Sequence, residues 1–142
     1  MRLDIEKLKR DMKLIPWDEF YFTILSQVAQ RSTSDDRRQG AILVKNNSVI
    51  VMGYFDSYDK KGEQDKTIGS GAIENALASC GSEGISTKGA TLYAYTFPND
   101  IVCKLLVKAH IAEIIYVKPN DSVLGYELCK KEGLKLTPFK KI

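Results

Sequence analysis

The second half of the chain alternates apolar runs with amphipathic stretches, and this alternation constrains the fold more than any other feature. We predict strands at Thr91–Thr96, Glu113–Val117 and Leu134–Phe139, with intervening helices at Asn99–Ala109 and Ser122–Glu132. A helix that connects two neighbouring strands of one sheet places them parallel, so this order indicates an α/β fold. The apolar character of the strands implies that helices cover the sheet.

The first half contributes an antiparallel hairpin. The runs AILVK and SVIVMGY predict strands at Ala41–Lys45 and Ser48–Tyr54, which are separated only by Asn46 and Asn47. Because Asn tolerates the positive φ that a two-residue hairpin turn requires, we expect these strands to pair directly. The five predicted strands then form one mixed sheet.

The remaining segments of the first half read as helices or loops. The spacing of apolar residues predicts a helix from Trp17 to about Arg31, with Trp17 placed in the core in preference to the alternative of an interface anchor. A second helix is predicted at residues 72–80 with Ser70 as its N-cap, and the polar stretch at residues 56–70 is predicted to be a long loop. With helices on both faces of the sheet, the expected architecture has three layers, α/β/α.

The N-terminus is predicted to be a helical extension that precedes a single domain. Leu3, Ile5, Leu8 and Met12 recur at a spacing that suits an amphipathic helix within residues 1–15. Pro16 is well placed in the first turn of a new helix, so we divide the chain into an extension at 1–15 and a domain at 16–142.

Composition excludes several classes of protein. The chain has 142 residues, a formal charge of +3 and 44% hydrophobic residues, which is typical of a soluble globular domain and argues against a nucleic-acid partner. No apolar run approaches the roughly 18 residues of a membrane span, and the charged N-terminus does not resemble a signal peptide. Cys80, Cys103 and Cys129 form no CxxC pair, so we expect reduced thiols in a cytoplasmic protein.

Six segments, in order, resemble the deoxycytidylate (dCMP) deaminases of the zinc-dependent cytidine deaminase superfamily. They read WDEFYFTILSQVAQRS, RRQGAILV, VIVMGY, GAIENAL, KGATLYAYTFP and CKLLVKAHIAEIIYVK. The resemblance runs from Pro16 to Pro138 and implies a cytidine deaminase-like fold for the domain at 16–142. It agrees with the α/β order derived above.

The resemblance also implies a zinc centre whose residues this chain lacks. Zinc deaminases hold the metal with His/Cys/Cys, and a Glu shuttles protons to and from the metal-activated water. Matched to those motifs, the His position is Gly71 and the Glu position is Ile73, while the two Cys positions are Asn99 and Val102. We therefore expect no catalytic residue, no zinc and no other cofactor.

Shifting the motifs by one residue does not rebuild the centre. A shift brings Glu74 to the acid/base position and pairs Cys103 with Asp100, but no imidazole accompanies them. His110 follows the second motif at a helix end, where we interpret it as a surface residue. We expect Asn99 to cap the following helix, and Ile73 and Val102 to fill the former metal pocket as core.

Part of the substrate-binding pattern is retained. Arg31, Ser32 and Arg37 lie in the loop that approaches phosphate in the family, so they are candidate nucleotide phosphate contacts. An interpretation as ordinary loop residues is equally open. The sugar-binding Asn of the family is replaced by Phe55.

These observations favour a catalytically inactive dCMP deaminase-like protein, retained for binding or assembly. The expected partners are a second copy or an active deaminase paralogue, with a nucleotide as a candidate ligand and a phage-like source as an option, in which case it would act in the host cytoplasm. One alternative is an active nucleotide hydrolase with an atypical site built from Glu74, Asp100 and Cys103. Another is a regulatory module that binds a nucleotide or nucleic acid through arginines and residues 60–66, the arginines being Arg31, Arg37 and Arg38.

Overall fold

Seven strands and five helices make up the part of the chain that the structure describes. The structure is a computed structural model that describes residues 4–11, 14–33, 39–59, 67–121 and 123–140. The elements are α1 (Ile5–Asp11), α2 (Trp17–Ala29), β1 (Gly40–Lys45), β2 (Ser48–Tyr54), β3 (Asp56–Asp59), β4 (Thr67–Ser70), α3 (Ala72–Glu83), β5 (Thr91–Thr96), α4 (Asp100–Lys108), β6 (Glu113–Lys118), α5 (Val123–Lys131) and β7 (Lys135–Pro138).

The central sheet has the predicted five strands and mixed character. Its strand order is β2-β1-β5-β6-β7. β1 pairs antiparallel with both β2 and β5, whereas β5, β6 and β7 run parallel. The parallel half therefore comes from the strand–helix alternation, and the antiparallel half from the hairpin.

The hairpin turn has the geometry expected from its two asparagines. Asn46 and Asn47 have φ values of 52° and 62°, and Lys45 pairs directly with Ser48. Positive φ at both central residues matches the twist of the flanking strands. The register shifts once between Leu43 and the next residue, where a bulge or similar irregularity interrupts the ladder.

Helices cover both faces of the sheet, which confirms the three-layer architecture. Ala41 and Leu43 of β1 belong to the apolar core that also includes buried residues of α3, α4 and α5. Ile42 and Val44, which alternate with them, belong to a second core built with α2. Side chains on a strand alternate between faces, so β1 contributes to both layers.

The prediction of a long loop at residues 56–70 is wrong for its described parts. β3 and β4 form a two-stranded antiparallel sheet in which Asp56 pairs with Ser70. Phe55 is buried beside this sheet, and its ring lies where a Cβ on Gly69 would project. Backbone pairing of this kind needs no apolar alternation, so the polar sequence concealed it.

The helices differ from prediction mainly at their ends. α3 continues to Glu83, beyond the predicted end at Cys80, and stops at Gly84, whose φ of 67° is typical of a helix C-cap. The longest described helix, α2, has 13 residues. Within the described ranges, no helix combines the length and apolar character needed to cross a membrane.

The N-terminal region is exposed. Ile5 and Leu8 on α1 are 54% and 47% exposed. Trp17 is 56% exposed, so its predicted place in the core is wrong. Its ring stacks on Tyr21 at 5.6 Å between centroids and meets Phe20 edge-on at 6.0 Å, so its contacts are with neighbours on its own helix.

A cavity at the carboxyl end of strand β5

A cavity of about 680 Å³ opens where β5 ends and where α3 and α4 begin. α2 supplies one wall through Phe22 and Leu25, and the end of β5 supplies Tyr95 and Thr96. In open α/β sheets, ligands bind at the carboxyl ends of the strands, because neighbouring connections diverge there. The fold therefore places this cavity where a ligand site is expected.

All four positions that we predicted to match the family's zinc and proton-transfer residues line this cavity. Gly71 precedes the first turn of α3, Ile73 lies within that turn, Asn99 precedes α4, and Val102 lies in the first turn of α4. The structure thus brings together residues that are far apart in sequence. Val102 is buried in the main apolar core and Ile73 packs against it, as predicted, but both also line the cavity, so they do not fill it completely.

The side chains at these positions do not fit a His/Cys/Cys zinc centre. Gly71, Ile73 and Val102 carry no donor atom, and the Asn99 Oδ1 accepts a hydrogen bond from the Val102 amide at 2.9 Å. This bond confirms Asn99 as the N-cap of α4. Among the described residues, no group of three or more His, Cys, Asp or Glu side chains is arranged to hold a metal ion.

Among the described lining residues, Glu74 is the one that carries a carboxylate. Its side chain is half-buried and lies over Gly71, such that a Cβ on that glycine would sit 2.5 Å from Oε1 and 2.8 Å from Oε2. Within the described ranges no residue forms a hydrogen bond or an ion pair with this carboxylate. Lying in the first turn of α3, the negative charge is near the positive end of the helix dipole.

The predicted cap of α3 is corrected by the structure. The N-cap is Gly71, and the Ser70 hydroxyl donates to Asn75 Oδ1 at 2.6 Å. Asn75 Nδ2 in turn donates to the Tyr54 carbonyl at 2.8 Å and to the Ser70 carbonyl at 3.2 Å. One amide side chain therefore ties β2 and β4 to the start of α3, which forms one wall of the cavity. The only signal of this role in the sequence is an amide in the first turn of a predicted helix.

Asp100 and Cys103 face α5 and do not line the cavity. The amide of Gly125 donates to Asp100 Oδ1 at 2.6 Å, and a Cβ on this glycine would lie 2.8 Å from Cys103 Sγ. Cys103 is fully buried, and a hydrogen bond with Cys129 together with burial raises the pKa of its thiol. The structure does not bring Glu74, Asp100 and Cys103 together, so it does not support the atypical centre that they would form.

His110 lies at the other end of α4. It follows the C-cap with a φ of 58°, and its amide donates to the Val107 carbonyl at 3.1 Å. The amide of Ile111 donates to the Leu106 carbonyl at 3.2 Å, which completes a Schellman motif. The interpretation of His110 as an exposed helix-end residue is confirmed.

The candidate phosphate contacts are only partly described. Arg31 is exposed after the end of α2, and neither it nor the adjacent Ser32 lines the cavity. The amide of Ser32 donates to the Ala29 carbonyl at 3.1 Å. Arg37, Arg38 and residues 60–66 lie outside the described residues, so the phosphate contact stays a prediction.

Comparison with known proteins decides the family. A family model described as the cytidine and deoxycytidylate deaminase zinc-binding region matches residues 15–118. The chain belongs to the cytidine and deoxycytidylate deaminase family. The match includes both motif regions, so this deaminase-family protein has the family's scaffold, and the four positions predicted to match its functional residues line the cavity.

The chain is similar to several curated proteins over most of its length. It is 26% identical to ComE operon protein 2 of Bacillus subtilis, a match that covers 75% of the chain and 62% of that protein. It is 29% identical to the deoxycytidylate deaminase of Schizosaccharomyces pombe, covering 78% of the chain but 42% of that enzyme. Against the deoxycytidylate deaminase of Mycobacterium phage D29 the identity is 26%, covering 73% of the chain and 96% of the phage protein.

Solved structures confirm the fold. The dCMP deaminase of cyanophage S-TIM5, crystallised in complex with dCMP and dUMP, superposes with a TM-score of 0.76 at 20% identity. The apo form of the same enzyme gives a TM-score of 0.73 at 21% identity. Both comparisons cover 89% of this chain and 100% of the phage chain.

Proposed function

We propose that this deaminase-family protein is catalytically inactive and is retained to bind a ligand or a protein partner. The observation that carries the proposal is the identity of the four residues that line the cavity at the predicted motif positions. Gly71, Ile73, Asn99 and Val102 meet in one cavity, and none offers the imidazole, thiolates or carboxylate that the motif requires. The cavity therefore lies at the predicted motif positions but has no side chains there that could bind zinc or transfer protons.

The loss of these donors affects the two steps on which zinc deamination depends. Water has a pKa of about 15.7, and a bound zinc ion lowers it to about 7, which supplies hydroxide at neutral pH. A Glu then moves protons between that water and the base. Ile73 replaces this Glu with an aliphatic side chain, so restored metal alone would not restore proton transfer.

Binding is supported by the open volume of the cavity. Ligand sites commonly enclose roughly 300–1,000 Å³, and this cavity has about 680 Å³. A protein that had lost all use for the site could have closed it with larger side chains, yet Gly71 and Val102 still border open space. We infer that a small molecule occupies this space.

The first test measures zinc content by elemental mass spectrometry and dCMP deamination in the same purified sample. We expect less than about a tenth of a zinc ion per chain, because no donor set of the required kind is present. We also expect no release of ammonia from dCMP. Stoichiometric zinc with turnover would refute the proposal.

The second test rebuilds the motif. The fourfold variant Gly71→His, Ile73→Glu, Asn99→Cys and Val102→Cys should bind zinc, with Glu74 swinging away from residue 71 to admit the imidazole. The matched control omits Ile73→Glu and should bind zinc without deaminating dCMP. If neither variant takes up zinc although both fold, the motif positions have been matched incorrectly.

Assembly with a second copy is the protein-partner form of the proposal. Ile101 and Leu105 lie one turn apart on α4, 76% and 41% exposed, and α5 adds Val123 and Leu124 at 67% and 76%. Exposed apolar side chains clustered in this way are typical of interaction surfaces. Size-exclusion chromatography with light scattering should show a dimer or larger species that Ile101→Lys weakens, and a monomer at high concentration would contradict self-assembly. Association only with a co-expressed deaminase would identify the paralogue as the partner instead.

A further inference from the structure

The carboxylate of Glu74 indicates which small molecule the cavity accepts. Among the described residues that line the cavity, Glu74 is the one acidic side chain, and no Lys, Arg or His accompanies it there. Its oxygens have no hydrogen-bond donor and no cation among the described residues. An ionised carboxylate only accepts hydrogen bonds, so a ligand at this end of the cavity gains most by presenting N–H donors.

Aromatic side chains also line the cavity. Phe22 and Phe139 stack at 4.7 Å between ring centroids, and Phe97 and Tyr95 also contribute to the lining. Aromatic side chains bind nucleobases by stacking, and every base has a face that can stack. These aromatic side chains therefore favour a planar heterocycle as the ligand, but they do not distinguish one heterocycle from another.

The Glu74 carboxylate can distinguish one heterocycle from another through the hydrogen bonds that it accepts. Two oxygens can accept two parallel N–H bonds from adjacent donors, an arrangement that adds geometric specificity to the charge. The Watson–Crick edge of guanine presents such donors at N1 and N2. Neutral cytosine carries an acceptor, N3, beside its amino group, so only the amino group can donate to the carboxylate. The partial negative charge of N3 would then be repelled by the second carboxylate oxygen.

We propose that Glu74 makes this cavity a binding site for a guanine-type nucleoside, in place of the cytosine nucleotide that the family's name suggests. The inference rests on the proposed function, because it assigns a ligand to a cavity that no longer has a metal centre. Gly71 contributes to this specificity because it has no side chain. A Cβ at this position would contact the Glu74 oxygens and push them out of the observed position.

The experiment compares guanosine, inosine and cytidine by ligand-observed NMR competition. Inosine lacks the 2-amino group and keeps N1–H, so it removes one of the two proposed bonds. Hydrogen bonds to a charged group are strong enough that we expect guanosine to bind about tenfold more tightly than inosine or cytidine. Glu74→Gln should remove this preference, since one acceptor oxygen becomes a donor. Glu83→Gln, the same change on an exposed residue at the far end of α3, should keep it.

The outcomes separate this inference from the proposed function. Equal affinities for the three nucleosides, an unchanged preference in Glu74→Gln, or no nucleoside binding at all would overturn the guanine assignment. Zinc content and dCMP turnover, measured on the same preparation, test inactivity independently. A protein without zinc or turnover that ignores guanosine would refute the ligand and leave the loss of catalysis standing.

Discussion

Replacing Gly53 with alanine should destabilise the protein, because β2 and α3 touch at this glycine. Gly53 is buried in β2. A Cβ at this position would collide with the carbonyl oxygen of Ala72 and lie 2.8 Å from the amide nitrogen of Ala76. Both atoms belong to the backbone of α3, so no side-chain rotation can relieve the contact, and the helix must move.

The size of the effect follows from the rigidity of that contact. Overpacking a well-packed interior costs about 1–3 kcal/mol, and we expect the upper end because both clashing atoms are backbone. The entropy of unfolding is about 2.1 cal/mol/K per residue near 60 °C, or about 0.3 kcal/mol/K for this chain of 142 residues. A loss of about 3 kcal/mol therefore corresponds to a fall in Tm of about 10 °C.

Thermal unfolding followed by circular dichroism measures this change, with Gly81→Ala as the matched control. Gly81 lies in α3, and a Cβ there would meet nothing within 4 Å. Alanine is favoured over glycine in a helix by about 0.8–1 kcal/mol, so the control should raise the Tm by about 3 °C. Opposite signs for the same substitution would support the packing argument. A Gly53→Ala variant that melts within about 2 °C of the wild type would refute it.

Three further predictions concern single side chains. Asn99→Ala should lower the free energy of unfolding by about 1 kcal/mol, because the amide of Val102 loses its acceptor, whereas Asn99→Asp should retain most of it in a urea titration; equal losses would contradict the cap. The three cysteines are buried as free thiols, so a disulfide reagent at about pH 8 should label none in the native protein and all after unfolding; labelling of the native protein would contradict their burial. Burial, followed by the hydrogen bond to Asp18, raises the pKa of Tyr93, so the unfolded chain loses this proton at lower pH than the native protein and stability should fall above about pH 10. Tyr93→Phe should reduce that fall, and a urea midpoint that drops equally in both proteins between about pH 8 and pH 11 would count against Tyr93 as its source.

The parts of the fold that were predictable are those encoded by local pattern. The alternation from Thr91 onward predicts β5, α4, β6, α5 and β7, and Asn46 and Asn47 predict the hairpin turn. Each inference depends on neighbours within a few residues. The pairing of β3 with β4 was not predictable, because a polar strand bonded through its backbone leaves no periodic trace. The exposure of Trp17 was mispredicted because burial depends on which element packs above a residue.

The candidate site likewise has a part that was predictable from local sequence and a part that depends on tertiary packing. Motif matching placed Gly71, Ile73, Asn99 and Val102 at the family's functional positions, and the structure brings all four to one cavity. Motif matching could not show that the cavity stays open, since volume depends on the separation of α2, α3 and α4. It also gave no reason to place the Glu74 carboxylate over Gly71, a position that follows from the start of α3 and from the missing side chain.

By itself, the sequence determined the chemistry that is missing. Donor atoms belong to residue types, so the motif match by itself predicts that a chain with glycine, isoleucine, asparagine and valine at these four positions lacks the His/Cys/Cys set and its Glu. Only the tertiary structure decided what stands in its place. The cavity of about 680 Å³ arises where two helix starts and a strand end converge, and the Glu74 carboxylate that lines it has no partner within the described part of the chain. The distances among those elements are set by packing across the domain.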